Sequence, residues 1–234
     1  MLANDYFDRL IAIMQEIKQH EIASIQQAAE WIADSIAADG LVHLFGCGHS
    51  HMLAEDVFYR AGGIVPVNAI LESSTMLHEG AVKSSMVERM TGYAALILDN
   101  YSVKPGEVMI VISTSGINAL PVEMAMAARA KGLKVVVISS SAYLTTESRH
   151  PSGKRLQDVA DLVIDNHVPR GDALVQVPGS AVKMASSSTV AGSLILNMIM
   201  TTVAERLIAR GVEPPIYVSG NLPGGFEQNM AYIE

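Results

Sequence analysis

The sequence predicts an α/β fold, with a five-stranded parallel sheet covered on both faces by helices and a helical arm ahead of it. Three observations predict it. Five short apolar runs are bounded by turn residues, helical patterns lie between most of them, and no linker rich in Pro, Gly or Ser divides the chain. Strands that alternate with helices pair in parallel, because each return to the sheet needs a right-handed crossover. One domain accounts for the whole chain, with an arm over 1–38, a core over 39–212 and a tail over 213–234.

Residues 5–38 hold no Gly or Pro. Phe7, Leu10, Ile11, Met14 and Ile17, then Ile22, Ile25, Ala29, Ile32 and Ile36, form apolar stripes at i, i+3, i+4 spacing, which makes this arm one long helix or two. Gly40 ends it. Leu41-Val42-His43-Leu44-Phe45 then reads as a buried strand, and further strands are expected at 64–67, 108–112, 135–138 and 162–164. Residues 118–131 carry a helical pattern closed by Gly132. Residues 184–204 lack any charge, and about 20 apolar residues span a bilayer. Eight Ser, Thr and Asn side chains among them favour a helix buried in a protein core instead. Residues 169–172 (Pro-Arg-Gly-Asp) read as an exposed excursion suited to a lid.

Composition narrows the function. The 234 residues are 50% apolar and 17% charged, with a net charge of −8. A chain of this kind collapses around a core and offers no basic face, so neither nucleic acid nor an anionic membrane is an expected partner. Small molecules and other copies of the chain are. Cys47, the sole cysteine, forms no internal disulfide, and the N-terminal residues lack the basic and apolar regions of a signal peptide, so a cytoplasmic location is expected.

In open parallel sheets, ligands bind where strands give way to helix N-termini. The first strand runs into Gly46-Cys47-Gly48-His49-Ser50-His51. Glycines let a backbone approach an anion. His51 stands where a dinucleotide fingerprint needs its third glycine, and Met52 replaces the closing glycine of a hydrolase elbow, so both of those readings are set aside. His49 and His51, with Glu55 and Asp56 beyond, hold donors suited to a divalent metal, yet paired loop histidines more often make hydrogen bonds. No metal and no cofactor is expected. The third strand runs into Ser113-Thr114-Ser115-Gly116-Ile117-Asn118, then a helix. One hydroxyl suffices to cap a helix. Three in succession, followed by glycine, suit a phosphate monoester held by short donors, free amides and the positive helix end.

These two loops, followed by Glu123-Met124-Ala125 and by Gly132-Leu133-Lys134-Val135-Val136-Val137-Ile138-Ser139, resemble the sugar isomerase (SIS) domain across residues 30–212. The resemblance implies a flavodoxin-like three-layer αβα sandwich that binds phosphosugars at a subunit interface, hence a homodimer or homotetramer. The family includes aldose–ketose isomerases, an amino-sugar 6-phosphate etherase and sugar-phosphate sensors. The whole chain looks most like a bacterial branch often labelled phosphoheptose isomerase. It departs from the catalytic pattern of those enzymes, whose glutamate falls on Arg60 and whose C-terminal Gln and His fall on Gly192 and Met200. Arabinose-5-phosphate isomerases match in part. Their loop lysine falls on His49, an essential histidine on His78, and their His-Pro-Gly-Gly tail on Leu222-Pro223-Gly224-Gly225.

An aldose–ketose isomerase takes a proton from the carbon beside a carbonyl and returns it to the neighbour through an enediolate, which needs a base that titrates near working pH and an oxyanion donor. His78 is the first expected base, flanked by Glu72 and Glu79, and His49 the oxyanion donor or ring-opening acid. A lyase or etherase would rely on Glu72 and Glu79 instead, and a sensor on no base at all. Gly46, Gly48, Ser50, Ser113, Thr114, Ser115, Gly116 and Asn118 are the expected phosphate and substrate contacts, joined by Ser187 at a hydroxyl-rich helix start. Asn221 and Asn229 in the tail suit sugar hydroxyls. Glu123 reads as a helix-start acid, and His150 and His167 receive no role.

Overall fold

A computed structural model describes residues 1–233. Helices α1 (Leu2–His20) and α2 (Ile22–Ala37) form the arm, followed by β1 (Val42–Gly46), α3 (His51–Val57), β2 (Val67–Ala69), α4 (Ala81–Val87) and α5 (Tyr93–Leu98). Next come β3 (Val108–Ile112), α6 (Ala119–Ala130), β4 (Lys134–Ser139) and β5 (Leu162–Asp165). The chain ends with β6 (Ala173–Gln176), β7 (Lys183–Ser186), α7 (Ser188–Ala209) and α8 (Gly225–Met230).

Five strands pair in parallel in the order β2-β1-β3-β4-β5. Every residue of β1 and β3 is buried, as strands covered on both faces must be. Alternation along the strand assigns the faces. Val108, Ile110 and Ile112 of β3, with Val136 and Ile138 of β4, pack among side chains of α2, α3 and α7. Met109 and Val111, with Val135 and Val137, pack among those of α5 and α6. The result is the expected three-layer sandwich. Removing the Ile110 side chain by substitution to Ala would open a cavity in the first layer at a cost of about 2–5 kcal/mol.

The second half of the arm belongs to that layer. Helix α2 buries Ile25, Ala28, Ala29, Ile32 and Ala33 against α7 and the sheet. Helix α7 is long and apolar enough to span a membrane, yet it buries Ile195, Leu196, Ile199, Val203 and Leu207 in the same cluster.

Two expectations shift. The run at 64–67 splits, because Ile64 bridges Ile216 and the Val65 amide donates to the Pro215 carbonyl at 2.9 Å. Only 67–69 enter the sheet. The excursion at 169–172 leads into a separate antiparallel hairpin of β6 and β7, so the apolar stretch from 184 starts as strand and turns helical at Ser188.

Near the N-terminal end of the sheet, buried His43 meets buried Glu107 at 2.9 Å, and the other His43 ring nitrogen contacts the Asn68 side chain at 2.9 Å. Burial raises the Glu107 pKa, but hydrogen bonds from His43 and from the Lys104 and Leu41 amides outweigh it and leave the carboxyl below its ordinary value. This pair ties β1 to β3 away from the ligand loops.

Candidate functional site

Strand β1 is flanked by β2 and β3, so the chain leaves the sheet in opposite directions on either side of it and opens a crevice at the C-terminal strand ends. The loops after β1 and β3 line that crevice. Gly46 is required sterically, since a Cβ there would lie 2.6 Å from the Ser50 backbone. The chain then turns through Gly48, at φ +55°, and the Ser50 amide closes the turn on the Cys47 carbonyl at 2.9 Å.

The loop after β3 is arranged to donate. The Ser113 hydroxyl accepts from the Gly116 amide at 3.3 Å, and the Thr114 hydroxyl accepts from Asn166 Nδ2 at 3.3 Å. Neither gives its own hydrogen to an acceptor among the described residues, and Ser115 makes no side-chain hydrogen bond among them. The Thr114 and Ser115 amides also donate to no acceptor among them. Gly116 sits at φ +64°, where a Cβ would meet Gln157 Oε1 at 2.7 Å. Asn118 stands at the N-cap of α6, and its Oδ1 accepts from Arg149 Nη1 at 2.7 Å. Amides and hydroxyl hydrogens without an acceptor among the described residues thus lie just ahead of the N-terminus of α6.

They face a cavity of about 420 Å³. Gly48, His49 and Ser50 form one wall, and Ser113, Thr114, Ser115 and Asn118 another. Ser84, Ser85 and Glu88 close it from α4 and the turn after it. Sequence reasoning missed Glu88. Burial pushes its carboxyl above the ordinary range, and the Asn118 side chain with the Arg89 and Arg149 charges pulls it only part of the way back. Cys47, in the same wall, is raised well above a free thiol, first by burial and then by Glu88, so it remains protonated and is no nucleophile.

Other expected residues lie elsewhere. The His78 side chain is 63% exposed outside the cavity wall, with Nε2 3.9 Å from Glu55 Oε1, and its ring meets that of His51 edge-on at 5.4 Å. Glu72 accepts from Tyr93 at 2.8 Å and from Ser74 at 2.9 Å. Glu79 is exposed, and the Lys83 ammonium followed by the Ser73 hydroxyl holds its carboxyl below the ordinary value, the wrong direction for a base at neutral pH. Ser187 is fully buried and gives its amide and hydroxyl to Asp172, which occupies the start of α7 where an anion contact was expected. In the tail, Asn221 lies outside the cavity, and Asn229 clamps both backbone groups of Val218 at 3.0 and 2.8 Å. Of the expected metal donors, His51 meets Glu55 and His78 rather than His49 and Asp56, whose carboxylate is taken by Arg60 and Ser193.

The SIS domain family model matches residues 5–140, more than half of the chain and most of its arm. The chain belongs to the SIS domain family. A UPF0309 protein of Geobacillus kaustophilus is 44% identical over 234 residues, covering 100% of this chain and 93% of that relative. Among solved SIS folds, a phosphoheptose isomerase from Francisella tularensis superposes with a TM-score of 0.59 at 17% identity, over 87% of this chain and 96% of that one. The NanR protein of Vibrio vulnificus, complexed with ManNAc-6P, gives 0.53 at 13% identity, over 100% of this chain and 69% of that one. At these identities the structural neighbours establish the fold. The expected five-stranded SIS architecture is the observed one.

Proposed function

We propose that this SIS protein binds a phosphorylated sugar in the crevice between β1 and β3 and interconverts its aldose and ketose forms through an enediolate. One observation carries the reading: amides and hydroxyl hydrogens at 114–115 that meet no acceptor among the described residues share one cavity with Glu88, a carboxyl whose pKa is raised toward working pH. Phosphate sits on the Thr114 and Ser115 amides, the Ser115 hydroxyl and the α6 N-terminus, with no lysine required. A cavity of about 420 Å³ falls within the ordinary range for small-ligand sites.

Glu88 is the base. It takes the proton from the carbon next to the carbonyl and returns it to the neighbouring carbon. His49, on the facing wall, gives its proton to the carbonyl oxygen, which gains charge as the enediolate forms and becomes the product hydroxyl, and takes up the proton that the neighbouring hydroxyl releases as it becomes the new carbonyl. This assignment moves the base from His78, which stands outside the wall, and withdraws Glu72 and Glu79, whose carboxylates are already tied. The lyase reading, which rested on those two carboxylates, loses its support. A cytoplasmic location and self-association remain part of the proposal. Val82, Met86 and Met90 expose an apolar strip beside the cavity, which suits a second copy.

The test is incubation of the full chain with a panel of phosphorylated aldoses in deuterated water, followed by NMR. Isomerisation predicts ketose product and deuterium at the carbon next to the carbonyl. Binding with neither would leave a sensor and end the isomerase reading.

A further inference from the structure

His51 is 2% exposed, and its Nε2 has no hydrogen-bond partner among the described residues. Its other ring nitrogen, Nδ1, contacts the Gly48 carbonyl. A carbonyl only accepts, so Nδ1 carries the proton and the Nε2 lone pair points into a buried space with no donor to meet it. What lies there is a carboxylate: Glu55 Oε1, one helical turn along α3, is 3.6 Å away. That separation is too long for the charge-assisted bond of about 2.7–2.9 Å that an imidazolium would make. His78 arrives from the loop after β2 with Nε2 3.9 Å from the same oxygen, and one donor atom from each of the three residues lies within 4.8 Å of the others.

We propose that His51, Glu55 and His78 form a binding site for a divalent transition metal ion of the zinc class. Bonds of about 2.0–2.1 Å in tetrahedral geometry place ligand atoms about 3.4 Å apart, close to the observed 3.6 and 3.9 Å. His78, largely exposed, is free to close the remaining gap by rotation. Two imidazoles and one carboxylate select zinc, cobalt or nickel over magnesium or calcium, which prefer sites made of oxygen alone. The Nδ1 contact with Gly48 supplies the outer hydrogen bond that ligating histidines commonly make, fixing ring and tautomer. Three protein ligands leave a fourth position open. Ser50 and Leu77, next to His51 and His78 in the chain, line the sugar-phosphate cavity, so the ion sits at its edge. The site stands on its own geometry and does not depend on the isomerase reading.

The test is calorimetric titration of the chelator-treated full chain with Zn²⁺, with Mg²⁺ as the comparison and Co²⁺ as a spectroscopic probe. Wild type should bind one equivalent of Zn²⁺, ignore Mg²⁺ and give visible absorption with Co²⁺. Glu55→Gln and His78→Ala alter exposed side chains and should remain folded by circular dichroism, yet each should weaken Zn²⁺ at least tenfold and abolish the Co²⁺ band. Absence of Zn²⁺ binding to wild type would overturn the proposal. So would equal Zn²⁺ affinity in wild type and both variants, since the ion would then sit on other histidines.

Discussion

Ser188 gives both its backbone amide and its hydroxyl to the Asp172 carboxylate, at 2.8 and 2.6 Å. Together with the two bonds from Ser187, this closes the N-terminus of α7 with a fixed negative charge. Asp172 also lines the cavity. Of the helix starts that line this space, that of α7 is closed by Asp172, whereas that of α6 spends its Leu120 amide on the Glu88 carbonyl and keeps the Asn118 and Ala119 amides without an acceptor among the described residues. Asp172→Ala should cost about 1–2 kcal/mol through loss of this cap, seen as a lower Tm, without weakening the affinity for a sugar phosphate. Loss of phosphosugar binding in a folded Asp172→Ala protein would place the anion at α7 instead.

Glu88 faces the cavity with a raised pKa. As a base it must be ionised, so kcat/KM should fall as pH drops through a value above the ordinary carboxylate range of about 4.3. Glu88→Gln should lower kcat by about 10²–10⁴ while sugar phosphate still binds. His78→Ala should leave kcat within a few-fold under chelator. Measuring both variants by steady-state kinetics and titration separates the two candidates, and a silent Glu88→Gln would return the base to another group.

The buried Glu107 carboxyl has a depressed pKa in the folded chain. A depressed carboxylate stabilises the fold above its unfolded pKa of about 4.3, and that contribution disappears as pH falls through the lower folded value. Unfolding midpoints in urea should therefore decline on acidification below about pH 5. Glu107→Ala should lose about 3–5 kcal/mol at neutral pH because His43 and two amides are left without their acceptor. An unchanged urea midpoint for Glu107→Ala would contradict that account.

The sheet was legible because strands buried on both faces read as unbroken apolar runs, as in Val108-Met109-Ile110-Val111-Ile112. The run at Ile64 misled because its pairing partner, Ile216, lies far along the chain. The β6–β7 hairpin gave no signal, since Lys183, Met184 and Ser186 are exposed and impose no alternation. At the site, the Ser113–Asn118 loop announced itself locally through consecutive hydroxyls before a helix. Glu88 did not, because its role arises only when the turn after α4 brings it beside Cys47 and Asn118. The pairing of Ser187 with Asp172 was equally invisible: Ser, Asp and a helix start have the same composition whether the anion is a ligand or a side chain.

The account rests on Ser115, whose hydroxyl and amide are unengaged among the described residues at the mouth of α6. The most direct test is calorimetric titration of wild type and Ser115→Ala with a sugar phosphate identified by thermal shift. Loss of a charge-assisted hydrogen bond should weaken binding by about 1–3 kcal/mol, a rise in Kd of about fivefold or more, with Tm of the free protein unchanged. Equal affinity in the two proteins would contradict the placement of phosphate at this loop.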